Sequence, residues 1–209
     1  TESVGSVASV DVLWETRNDR NTINVGDVIE TVELEGNNVK FRLPFDPKPG
    51  NALIAVKDAN GTILWSWHIW VVDYDPVATQ QKYISGAIMM DRNLGAMRVV
   101  PGDIGALGFM YQWGRKDPFV GSGMHASYSD YFAYTAPYDA ISYVYFDSAN
   151  DSIEYSVKNP TVVYNDATWS NANDLWGYNK TKYDPCPAGW RVSDKSAWEG
   201  LVKPGNAET

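Results

Sequence analysis

Residues 51–72 constrain the fold more than any other stretch of the chain. Two apolar arms, 51–57 and 62–72, flank Asp58-Ala59-Asn60-Gly61. Asn-Gly between two such arms is a strong hairpin signal, because both central residues of a type I′ turn need positive φ. The second arm places Ile63, Trp65, Trp67, Ile69 and Val71 on one face and Leu64, Ser66, His68, Trp70 and Val72 on the other. Bulk on both faces predicts a strand that is central or lies between two layers. Upstream, Val7–Trp14 alternates in part, and 27–34 and 38–43 read as strands joined across Glu35-Gly36-Asn37. Pro44, Pro47 and Pro49 break the pattern with a loop. Residues 1–72 thus read as a β-sandwich-like module of about five strands.

Asp73-Tyr74-Asp75-Pro76 opens a linker over 73–82, after which loops lengthen and Gly, Tyr and Asp accumulate. Short strands are expected at 84–92, 141–146 and 152–157, and a helix or turn at 168–176. Near the end, Cys186-Pro187-Ala188-Gly189 has the proline and glycine placement of a type I turn. Trp190-Arg191-Val192 reads as a short strand. Ser193 or Asp194 then caps a helix of about two turns that carries Ala197, Trp198 and Leu201 on one side. A helix so short needs a packed anchor, so Trp190 and Trp198 are expected to share one buried cluster.

The 209 residues carry a net charge of −9 and a pI near 4.6. That balance argues against nucleic acid and anionic membrane as partners, since both reward clustered Lys and Arg. No apolar run approaches the roughly 20 residues of a membrane-spanning segment. The single cysteine rules out an internal disulfide and leaves the compartment open.

Three separated pieces occur in a fixed order: Met90-Asp91-Arg92-Asn93-Leu94-Gly95, Gly108-Phe109-Met110-Tyr111-Gln112-Trp113-Gly114, and Cys186-Pro187-Ala188-Gly189-Trp190-Arg191-Val192 running on to Trp198. Together they resemble the major paralogous domain of surface lipoproteins and fimbrillin-like, pilus-tip proteins of Bacteroidetes and Fibrobacter. That domain is similar to the C-type lectin-like fold, which includes the formylglycine-generating enzymes. The resemblance covers residues 83–203 and implies a mainly β protein with an α+β part: the N-terminal module at 1–72, then a C-type lectin-like domain at 83–209. Two departures stand out. Ser193 occupies the place of a usual proline, and the family's domain continues well past the final helix, so 83–209 lacks that usual C-terminal end. Residues 61–72 also resemble the β-module that precedes such domains.

The candidate chemistry is sparse. The formylglycine-generating enzymes need a cysteine pair, and Cys186 has no second cysteine; between prolines it reads as a buried small hydrophobe. His68 and His125 show no metal-site spacing. Asp147, Asn150, Asp151 and Glu154 supply hard oxygens without calcium-loop spacing and read as a solvated acidic turn. No catalytic residue, metal site or cofactor is assigned. The most suggestive feature is the tyrosine set between residues 122 and 145, with Tyr131, Tyr134 and Tyr138 as candidate ligand-binding residues beside Tyr128, Tyr143 and Tyr145. Amphipathic aromatics on loops suit recognition of protein or sugar, and they equally serve to pack such loops.

The expected function is therefore non-enzymatic. The resemblance implies adhesion at the extracellular cell surface or outer membrane, as a fimbrial or pilus-tip component or surface lipoprotein. The partners implied are other pilus or surface subunits and a host or bacterial surface protein or glycan. The alternative is a carbohydrate-binding module for glycan capture.

Overall fold

The structure, a computed structural model, describes residues 4–120, 134–135, 142–145, 152–165 and 175–199. It is mainly β, and most strand pairs are antiparallel. In chain order the strands are β1 (Ser9–Thr16), β2 (Thr31–Glu35), β3 (Asn38–Arg42), β4 (Gly50–Lys57), β5 (Ile63–Val71), β6 (Gln81–Lys82), β7 (Ile88–Met89), β8 (Tyr134–Thr135), β9 (Ser142–Tyr145) and β10 (Val162–Asn165). Among the described residues a short helix, α1 (Ile153–Lys158), precedes β10, and 3₁₀ turns lie at Ile104–Ala106 and Lys195–Trp198.

The main sheet runs β5-β4-β1-β8. Every residue of β4 is buried, because β4 has a strand on each side and packed layers on both faces. One layer is apolar: Ala52 and Ile54 of β4 meet Ile23, Val28 and Ile29, with Val32 and Val39 of the β2–β3 hairpin packed against them. The other layer holds Leu13, Trp14, Leu53 and Ala55 against Val120, with Ile104 and Phe109 closing over them. A register shift between Val12 and Trp14 places Leu13 beside Trp14 in that second layer.

The second layer carries the core across the linker at 73–82. Phe109 and Val120 pack on the first 72 residues, and β8 hydrogen-bonds to β1 through the Glu15/Thr135 and Thr16/Tyr134 pairs. The first motif makes the same crossing: the Gly95 carbonyl accepts from Asn18 Nδ2 (2.7 Å) and Asn51 Nδ2 (2.9 Å). Gly95 has φ 80°, and a Cβ there would fall inside the Phe109 ring, so only glycine fits this crossing.

Several expectations are corrected. β5 is not central in its sheet but an edge strand, and its bulk on both faces reflects the other expected arrangement, a strand covered on two sides: α1 packs against it, and the 110–120 loop covers Ser66 and His68. The 58–61 turn has positive φ at Gly61 alone, so it is no type I′ turn. The Asp58 carboxylate accepts from the N–H groups of Asn60 (2.9 Å) and Thr62 (2.8 Å), which fixes a turn closed by a left-handed glycine. The strand expected from residue 27 begins only at Thr31. The N–H groups of Gly26, Val28 and Ile29 are donated instead to the fully buried Glu15 carboxylate, at 2.7, 3.0 and 2.6 Å.

Residues 152–157, expected as a strand, form most of α1. Ser152 Oγ accepts from Tyr155 N, Glu154 sits in the first turn and Lys158 in the last, which matches the helix dipole at both ends. Trp190-Arg191-Val192 joins no sheet, and the helix after it is one 3₁₀ turn. Trp198 is 53 % exposed and donates its indole N–H to Ser193 Oγ (2.7 Å), so it is not the buried anchor expected.

Candidate functional site

Three open clefts stand out on the described surface, and the third, about 480 Å³, adjoins the second along Ile88, Met89, Trp190 and Arg191. The first, about 490 Å³, lies along the β5 edge between that strand and α1. Trp65 and Trp67, two residues apart on one face of β5, form its wall with Leu64 and Tyr183. Glu154 and Lys158 project from α1 into its rim, and Lys182 faces them from the chain before the third motif. Trp67 is 40 % exposed, and among the described residues its indole makes no ring contact or hydrogen bond. Trp65 is fixed more firmly. Its ring lies 6.3 Å from that of Tyr183, and Lys116 Nζ sits 4.5 Å from its centroid, a cation–π distance.

The second cleft, about 440 Å³, is lined by the first and third motifs, including Asp91, Arg92, Leu94, Cys186, Trp190 and Trp198. Arg92 holds Asp91 with two hydrogen bonds (2.7 and 2.9 Å) and stacks 3.3 Å from the Tyr74 ring centre. That pairing keeps the Asp91 carboxyl below its usual range. The side chains that organise this cleft are thereby committed to one another.

Below the first cleft lies a buried polar cluster. Ser66 Oγ donates to Asp117 Oδ1 (2.7 Å), and Lys116 Nζ reaches the Asp117 carboxylate (2.7 and 2.8 Å), the Ser66 carbonyl (2.9 Å) and Ser66 Oγ (2.5 Å). Burial lowers the Lys116 pKa against the pull of Asp117. A serine beside a lysine resembles a nucleophile and its base, but here the lysine is ion-paired and the serine hydrogen is directed at a carboxylate. The cluster ties the 116–117 loop to β5.

His68 is held in the same manner. Its Nε2–H donates to Asn51 Oδ1 (2.8 Å), since the Asn51 amide nitrogen is spent on Asn18 and Gly95, and Nδ1 faces the Tyr111 hydroxyl at 3.4 Å. Burial pushes its pKa down to about 4, with Asp117 opposing, so the ring is neutral at pH 7. The Cys186 thiol is pushed up to about 12 by burial and by the Asp184 carboxylate beside it. A thiol in that environment is a poor nucleophile.

Among the sequence candidates, Tyr134 lies in β8, opposite Thr16, while Tyr131, Tyr138, Tyr128 and His125 lie outside the described residues, as do Asp147, Asn150 and Asp151. Glu154 belongs to α1 and to the Trp67 cleft. No group of three or more His, Cys, Asp or Glu suited to a metal ion occurs among the described residues.

Three organising residues had no reading of their own in the sequence. Glu15 caps the 26–29 loop. Asp184 accepts from the N–H groups of Cys186 and Val192 (both 2.9 Å) and from Lys180 Nζ (2.9 Å), which pins the third motif. Arg115 donates to the carbonyls of Ser156, Asn159, Pro160 and Val162 and to Gln112 Oε1, which closes the end of α1 and the start of β10 onto the second motif. The Asp-Pro pair at 184–185 and the charged Arg115-Lys116-Asp117 run beside an apolar stretch were the visible traces of the last two.

Comparison of the chain with known protein families, with curated proteins and with solved structures gives no match.

Proposed function

We propose that this chain is a non-enzymatic binding component of the cell surface, acting in adhesion as a fimbrial, pilus-tip or surface-lipoprotein subunit. The observation that carries this reading is the contrast between interior and surface. Among the described residues, His68, Ser66, Lys116 and Cys186 are hydrogen-bonded or held in unreactive protonation states. The open clefts instead present tryptophan and tyrosine on a hydrogen-bonded frame, the arrangement expected where recognition rather than turnover is the task. The three ordered motifs support the same reading. The first and second dock on the main sheet and on β10, and the third is locked by Asp184, so all three build a frame for display.

The test is attachment. Fluorescently labelled protein is expected to bind saturably to host epithelial cells or to bacterial surfaces and to be displaced by unlabelled protein. Tyr131→Ala/Tyr134→Ala/Tyr138→Ala, the variant suggested by the sequence, is expected to attach less while melting within a few degrees of the parent, since the β8–β1 pairing of Tyr134 is made by its backbone. Absence of saturable attachment to every surface tried would count against the adhesive role.

A further inference from the structure

We propose that the cleft along β5 is a binding site for an acidic saccharide, a sugar chain bearing carboxylate or sulfate groups; this deepens the adhesive reading and rests on it. Three features converge. First, Trp67 offers an exposed, unpartnered indole face. The C–H face of a pyranose ring is apolar and weakly positive, and it stacks on the electron-rich face of an aromatic ring. Second, the wall is rigid. Trp67 and Trp65 stand on a strand paired along its length to fully buried β4, and Trp65 is braced by Tyr183 and by Lys116 from beneath. A wall that does not rearrange on binding loses little entropy.

Third, the rim charge runs against the charge of the whole chain. The protein carries −9 overall, yet this cleft is lined by two lysines and one glutamate. Lys158 and Glu154 form no ion pair or hydrogen bond with any side chain around them, so both polar heads are available to a ligand. An anionic sugar substituent meets the Lys158 ammonium group, Lys182 adds positive charge from its place beside the Trp65 and Tyr183 rings, and the Glu154 carboxylate accepts from sugar hydroxyls. A single lysine pair on an acidic protein suits an isolated anionic group and not the dense phosphate array of a nucleic acid.

The test uses the full chain on an array of immobilised glycans in two groups: uronic-acid, sialylated and sulfated chains, and neutral chains of matching length. Preferential retention on acidic glycans is expected. Trp67→Ala should reduce it at least tenfold with an unchanged melting temperature. Lys158→Ala, a change at an exposed residue of α1, should reduce it several-fold, and Lys158→Ala/Lys182→Ala, checked for an unchanged melting temperature because Lys182 Nζ also lies 5.3 Å from the Tyr183 ring centre, should abolish the preference for acidic over neutral glycans. Binding to neutral glycans alone, retention unaffected by these variants, or no retention on any acidic glycan would overturn the assignment. If cell attachment persists in Trp67→Ala, adhesion stands and this site fails. If acidic glycans are retained through Trp67 while no cell surface is bound, the site stands and the adhesive role fails.

Discussion

Single side chains fix this fold through bonds that the sequence shows only in part. His68 gives the clearest consequence. Its imidazole titrates near 6.5 in an unfolded chain but only near 4 in the folded protein, because burial disfavours the charged ring. The unfolded state therefore takes up a proton first as pH falls. The stability contributed by neutral His68 is fully present above about 6.5 and is lost progressively down to about 4, by up to roughly 3 kcal/mol. Thermal melts between pH 7.5 and 4.5 should show that decline, and His68→Gln, which keeps a donor for Asn51, should flatten it. An equal slope in parent and variant would assign the effect elsewhere. Asp184 acts in a different window: its carboxyl is held low despite burial by Lys180 and two backbone N–H groups, so its contribution is lost only as pH falls through that lowered pKa. Arg115 is the other decisive residue. Arg115→Met strands several buried carbonyls and should cost at least about 3 kcal/mol in urea denaturation. Arg115→Lys should recover little, because an ammonium cannot span the same fork of acceptors.

Elements were legible where period-two patterning decides them. β1, β3, β4 and β5 fall close to their expected places because their apolar residues face packed layers, whereas β2 starts four residues late. The hairpin tip was legible in its glycine and not in its turn type, since the Asp58 carboxylate, a local hydrogen-bond acceptor, sets the backbone of Asn60 and Thr62. Gly61→Val should cost about 1–2 kcal/mol, the usual penalty for a side chain in left-handed backbone, read as a lowered melting temperature. α1 was misread as a strand because six residues carry too little periodicity; Ser152 at its start and Arg115, far upstream, decide the outcome. Trp198 illustrates the opposite error. A tryptophan on a short helical turn reads as an anchor, yet its indole is satisfied by Ser193 and more than half its surface faces solvent. Trp198→Ala should accordingly change stability by no more than about 0.5–1 kcal/mol, and a loss of several kcal/mol would show that its packing has been misjudged.

At the scale of the whole molecule, the N-terminal sheet and the chain beyond residue 82 share a core. A fragment ending at residue 72 would expose Leu13, Trp14 and Leu53, which Phe109 and Val120 cover, and should lack a cooperative melt. The composition shift at 73–82 was legible, but this shared layer was not, because it depends on pairings such as Asn18 and Asn51 with the Gly95 carbonyl, distant in sequence and silent in local pattern. The Trp67 cleft was half legible for the same reason. Both tryptophans stood out on β5, but their role as an open wall depends on β5 being an edge and on α1 bringing Glu154 and Lys158 to face them. The most direct measurement compares the parent with Trp67→Ala for both melting temperature and attachment to the surface that the parent binds. A rigid frame displaying a separate recognition wall predicts melting temperatures within a few degrees and attachment reduced at least tenfold. Attachment equal to the parent's, or lost only together with the fold, would contradict it.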